Sequence, residues 1–147
     1  MPLRKNILLV SYYFPPLGMG GVGRPYSLFK YLPDYGYDVT VLTVKTILYP
    51  EYDHSLLAGV DKAKIARTGS FDPARLLYLV GLRNKKALES SLLRKGGWLY
   101  FPDSKRGWNL LATPRAKNII KQKNIAAVIT TTPPPSSHLI GMKLKKQ

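Results

Sequence analysis

Cysteine is absent from this 147-residue chain. That excludes a disulfide framework, a thiolate metal site and a cysteine nucleophile, and it fits a reducing compartment. Acid is scarce: eight Asp and Glu stand against 23 Lys and Arg, a net charge of +15. The imbalance is local. Residues 1–61 hold five basic and five acidic side chains, residues 62–147 hold eighteen and three, and no carboxylate side chain follows Asp103. Such asymmetry points to an anionic partner (phospholipid, phosphorylated sugar or nucleic acid) or to a solvated basic face. Histidine is limited to His54 and His138. His54 stands near Glu51 and Asp53 without a second imidazole, so no metal is expected. Long apolar runs are missing too. No stretch nears the ~20 residues of a membrane span. The apolar run at residues 7–10, closed by Pro15-Pro16, is too short for a signal peptide.

What is present reads as one domain, able to bury roughly 70% of its unfolded surface. Ile7-Leu8-Leu9-Val10 is a continuous apolar run, the pattern of a strand covered on both faces of a parallel sheet. Pro25, Leu28, Phe29 and Leu32 then share one helical face, and Gly36 punctuates its end. Val39, Val41 and Leu42 with Thr40 and Thr43 read as a second strand, and residues 64–67 as a short third. Residues 73–95 carry leucines and basic side chains at helical spacing, with Asp72-Pro73 as the start and Gly96-Gly97 as the stop. A helix over residues 108–123 presents Leu111, Ala112, Ala116, Ile119 and Ile120. Residues 125–130 read as a buried strand, and Ser136 as the cap of a last helix. Strands alternating with helices predict an α/β, Rossmann-like three-layer sandwich with a mostly parallel sheet.

Between the first strand and the first helix lie Gly18, Gly20, Gly21 and Gly23, followed by Arg24. Glycines there let the backbone approach a ligand and permit positive φ, and a helix amino terminus offers N–H groups to an anion. The run formally satisfies the dinucleotide fingerprint G-x-G-x-x-G. However, Phe14-Pro15-Pro16-Leu17 separate it from the strand, and Lys45 stands where an acid should hold a ribose. A nicotinamide dinucleotide phosphate protein and a glycine turn without ligand are the alternatives left open.

Ser11-Tyr12-Tyr13-Phe14-Pro15-Pro16, the glycine cluster with Arg24, and Tyr35-Gly36-Tyr37-Asp38-Val39-Thr40-Val41-Leu42-Thr43 resemble the start of a retaining GT-B glycosyltransferase of the family-four kind. Tyr37 departs from the histidine common there. Pro102-Asp103 with Trp108, then Ile129 through Gly141, is similar to the fourth strand and following helix in one branch of that family. The resemblance implies the N-terminal, acceptor-side half of a two-domain enzyme that moves a sugar from a nucleotide-sugar to a glycan or lipid-linked acceptor. It implies no metal cofactor, a glycine loop facing the donor diphosphate, and a location in the cytoplasm or peripherally on the cytoplasmic membrane face. No residues correspond to the nucleotide-sugar domain or to the end of the first domain. The expectation is therefore a truncated chain over residues 1–147, inactive alone. The competing class is a basic nucleotide- or nucleic-acid-binding module, for which no helix-turn-helix, zinc-finger or RNA-binding signature is present.

Further candidates stand outside the glycine loop. His138, Ser136 and Asp103 follow strand ends or loops where α/β sheets bind ligands, although first-turn packing or capping for His138, and a capping or salt-bridge role for Asp103 beside Arg106, are the preferred readings. Ser136-Ser137 have no acid and histidine arranged around them for a serine triad. Trp98 and Trp108 read as core or interface anchors. In the 73–95 segment, Leu77 and Leu79 with Arg83, Lys85 and Lys86 suit either a core helix or one lying on an anionic membrane surface.

Overall fold

An extended run with apolar side chains on both sides must be covered above and below. In the computed structural model, which describes residues 4–81 and 101–145, strand β1 (Lys5–Val10) is an interior strand, and its last four residues are buried. β2 (Tyr37–Val44) pairs with it in parallel, Ile7 opposite Val39 and Val10 opposite Leu42. β3 (Ile65–Thr68) pairs with β2, and β4 (Ile125–Thr130) with the other side of β1. The four-stranded sheet has the order β3-β2-β1-β4 and is parallel throughout.

The period-two alternation sorts the core into two layers. Leu8 and Val10 of β1 and Leu42 and Val44 of β2 join one apolar cluster with Trp108, Ala112, Ala116, Ile119 and Ile140. Leu9, Val39 and Val41 face the other way, onto Phe14 and Phe29. The first cluster is closed by α3 (Asn109–Lys123) and α4 (Ser136–Lys145), the second by α1 (Gly20–Tyr31). The result is the Rossmann-like α/β fold that the sequence predicts. Helix α3 can lie close on the sheet because its inner positions are small, Ala112 and Ala116, while the large Trp108 fills the space at its start and is fully buried.

Three sequence expectations change. β4 is an edge strand: Ala126 and Ala127 are exposed, and no strand pairs with its outer side among the described residues. An apolar run therefore does not by itself report cover on both faces. The face of α3 is also rotated, with Asn109, Ala112, Thr113, Ala116 and Ile119 inward and Leu111 exposed. Finally, the helix expected over 73–95 ends early. Helix α2 runs Pro73–Leu79, and Gly81 follows at φ 76°, the left-handed conformation that closes helices. The apolar spacing continues past Leu79, but the glycine breaks the backbone hydrogen-bond ladder. Arg83, Lys85, Lys86, Gly96, Gly97 and Trp98 lie outside the described residues.

Within α2 the two leucines proposed for a membrane separate. Leu77 is buried in the protein interior, so it is not free to meet lipid, whereas Leu79 is 61% exposed. Leu77→Ala should cost about 2–5 kcal/mol in urea unfolding, the range for emptying a core site. Leu79→Ala should change stability by less than about 0.5 kcal/mol.

Candidate functional site

In an open parallel sheet the crevice for ligands lies beyond the carboxyl ends of the strands, where chain connections diverge to opposite sides. Here that point lies between β1 and β4. The exits are tied together: Thr131 N donates to Val10 O at 3.1 Å. The Thr131 hydroxyl donates to Ser11 Oγ at 3.0 Å, and Ser11 Oγ donates to Tyr13 O at 2.8 Å. On the other side Ser11 N donates to Leu42 O at 3.0 Å, and Thr43 Oγ1 to Tyr12 O at 2.9 Å.

After this junction the chain carries three aromatic side chains, Tyr12, Tyr13 and Phe14, in different directions. Tyr12 turns inward. Its ring meets Trp108 edge-on at 5.4 Å between centroids, and its hydroxyl donates to Asp72 at 2.6 Å. Trp108 Nε1 in turn donates to Thr68 Oγ1 at 2.7 Å, which satisfies the indole inside the core. Tyr13 packs against Tyr49 at 5.6 Å, and Phe14 meets Phe29 of α1 at 5.6 Å.

The four glycines have separate roles. Gly18 is a close-approach residue whose N–H donates to Glu51 O at 3.0 Å, while its carbonyl accepts from Tyr49 Oη at 3.1 Å. A Cβ there would stand 3.3 Å from Glu51 Cγ. Its backbone is thus committed to the loop after β2 rather than to a ligand. Gly20, Gly21 and Gly23 lie inside the first turns of α1 instead of in a loop. Gly21 sits between Tyr13 and Pro133, with 3.4 and 3.7 Å to the nearest side-chain atoms of each from a built Cβ. Gly20 and Gly23 are exposed, and a Cβ on either would meet nothing within 4 Å. The positive φ expected of a glycine falls on Met19 (φ 66°, ψ 174°), a conformation costing a non-glycine residue about 1–3 kcal/mol.

The amino terminus of α1 has no side-chain cap and no acid in its first turn. Val22 N donates to Met19 O at 3.3 Å, so the N–H groups of Gly20 and Gly21 and the positive end of the dipole are what the helix start offers a ligand. Arg24, exposed one residue past Gly23, adds a full positive charge. This half of the site can take an anionic group.

The second half is built by Asp103, not by Ser136 as a cap. Asp103 accepts from Ser136 N at 2.6 Å and from Ser136 Oγ at 2.9 Å, and also from Lys105 N at 2.8 Å. It thus caps α4 from a remote loop, and the Ser136 side chain is held by that bond. The spacing between positions 103 and 136 carries no periodic signal, so only the fold reveals the pair. His138 accepts or donates at Nδ1 to Thr130 Oγ1 at 2.7 Å. With Met142 and Leu144 it lines an apolar groove of about 630 Å3 along the free edge of β4. The structure therefore brings Asp103 and Ser136 together, and it sets His138 on the sheet edge, away from the Gly20–Gly23 surface. His54 stacks on Tyr52 at 6.2 Å. Among the described residues no group of three or more His, Cys, Asp or Glu side chains gathers as metal ligands. No helix among them is long and apolar enough to cross a membrane.

The fold and crevice define an α/β protein of Rossmann-like architecture. No protein family profile matches the chain, and neither the characterised proteins nor the solved structures contain a significant match.

Asp103→Ala should cost about 1–2 kcal/mol in chemical unfolding, the worth of a helix cap. Combined with Ser136→Ala, the double variant should cost less than the two single changes added, because both remove one interaction. Additive costs would show that the two side chains act independently.

Proposed function

We propose that this chain forms the acceptor-side half of a GT-B glycosyltransferase, moving a sugar from a nucleotide-sugar to a glycan or lipid-linked acceptor, and that transfer needs a second domain closing over the crevice. One observation carries the reading. The two segments that resemble that family, residues 11–24 and 129–141, meet at the strand ends. Thr131 bonds Ser11 there, and Pro133 lies against Gly21. The bare surface of Gly20 and Gly23 leaves room for a diphosphate to approach an uncapped helix amino terminus. Arg24 supplies further positive charge. No general base or nucleophile is assigned to this half. A reaction of this kind needs donor and acceptor held together in one water-poor cleft, and the residues in hand build one wall of it.

A peripheral membrane location is part of the proposal. Phe71, Leu76, Leu79 and Val80 are exposed around α2 in a chain of +15 charge. Apolar side chains of this kind enter the headgroup region while basic ones meet anionic lipid, each basic residue contributing about 1 kcal/mol near the surface.

The test uses the polypeptide encoded by the whole reading frame that contains these residues, incubated with sugar-labelled nucleotide donors and a membrane extract. Label should pass to lipid or glycan. Gly20→Leu should cut transfer by about tenfold or more with the unfolding midpoint unchanged, since the side chain points into open space and displaces only a ligand. Gly18→Leu should instead lower stability, because it strikes Glu51. Equal transfer by wild type, Gly20→Leu and Gly23→Leu would remove the glycine surface from the mechanism. A reading frame without a second nucleotide-binding domain, and no label transferred from any donor, would overturn the proposal.

A further inference from the structure

A second cavity lies apart from the β1–β4 crevice, along β3 and the turn that precedes it and beside the carboxyl end of β2. It has a volume of about 280 Å3, and its lining includes Lys45, Lys62 and Arg67 with Thr46, Tyr52 and Leu57. Among the described residues no carboxylate lines it. The neighbouring acids are engaged elsewhere. Asp53 accepts from the amide and hydroxyl of Ser55, Asp61 accepts from the amide of Ala63, and the Glu51 side chain lies against Gly18.

Arg67 is the centre of this pocket. It is half-buried on β3, opposite Thr43 of β2. Its guanidinium donates to Val44 O at 3.2 Å and to Pro15 O. Those bonds use two of five N–H donors and aim the group at the strand ends. The ion pairs among the described residues are Lys64–Asp38 and Lys105–Asp72, so Arg67 has given up water without gaining a counter-charge. Burial accordingly holds its pKa below the ordinary arginine value. The two lysines flank it on ordered backbone: Lys45 N donates to Thr68 O at 2.8 Å, and Lys62 opens a helical turn capped by Asp61. Holding three cations around a cavity costs electrostatic energy that an anion would reverse. A planar guanidinium suits the paired oxygens of a phosphoryl group, and two ammonium groups suit its second negative charge.

We propose that the cavity lined by Lys45, Lys62 and Arg67 binds a phosphoryl group, either a lipid headgroup phosphate or the phosphate of a soluble molecule. The site stands on its own residues and does not depend on sugar transfer.

Calorimetric titration of inorganic phosphate into the full 147-residue chain at low ionic strength tests it. Saturable binding is expected, and Lys45→Gln/Lys62→Gln should weaken it by about tenfold, the order of one or two charge-assisted hydrogen bonds. The control is Lys121→Gln/Lys143→Gln, which removes the same charge from the last turns of α3 and α4. The last turn of α3 lies at the amino end of β1, where Asn6 Nδ2 donates to Lys123 O at 2.5 Å, and that of α4 shares a groove with Ile125 and Ala126 at the start of β4. The control should bind as wild type does. Both lysines of the test pair are exposed, so that variant keeps its fold; Arg67→Gln should abolish binding but also loosens the loop at Pro15. Absence of saturable binding, or equal losses in the two lysine pairs, would overturn the site. Phosphatidylcholine vesicles with and without phosphatidic acid then separate the sources. Competition by the anionic vesicles alone, lost in Lys45→Gln/Lys62→Gln, identifies a headgroup. Competition by a hexose phosphate with no effect of vesicles identifies a soluble ligand.

Discussion

The carboxyl end of the sheet is organised around the fully buried side chain of Asp72. It receives the Tyr12 hydroxyl at 2.6 Å, the Ser70 hydroxyl, and the Arg75 amide at 3.0 Å, while the Lys105 ammonium stands 3.9 Å away. A buried carboxyl without partners would be costly, so each of these donors is a requirement of the fold rather than an ornament. Together they join the exit of β1, the start of α2 and the loop before α3. Tyr12 then positions Trp108, and Trp108 positions the small inner face of α3.

A consequence is that the two places proposed for anions, the start of α1 and the pocket at Arg67, rest on hydrogen-bonded loops. Gly18 binds the loop after β2 through both backbone groups, and Tyr52 pins the same loop by accepting from Ile47 N and donating to Ile47 O. Pro15 touches both places, since its carbonyl receives Arg67 while the chain runs on to Met19 and α1. A charge bound at one place is thus linked to the other by a short stretch of backbone.

The glycine cluster shows how far a motif can be read. That glycine-rich chain joins a buried strand to a helix is legible in the residues, because it rests on local backbone freedom. The division of labour is not. Gly18 is required for close approach to Glu51, Gly21 fits between Tyr13 and Pro133, and Gly20 and Gly23 face open space. Each distinction depends on a neighbour remote in sequence. The same holds for Asp103, whose partner Ser136 lies on another element.

The chain's own pattern determined the alternation of strands and helices, the parallel sheet and most element limits, because periodicity, proline and glycine act through nearby backbone. Tertiary structure alone decided that β4 stands at an edge, that Leu77 is core while Leu79 is surface, and that Lys45, Lys62 and Arg67 share a pocket. Strand order and crossovers set those outcomes by bringing distant residues into contact, and no local propensity encodes which distant residue will arrive.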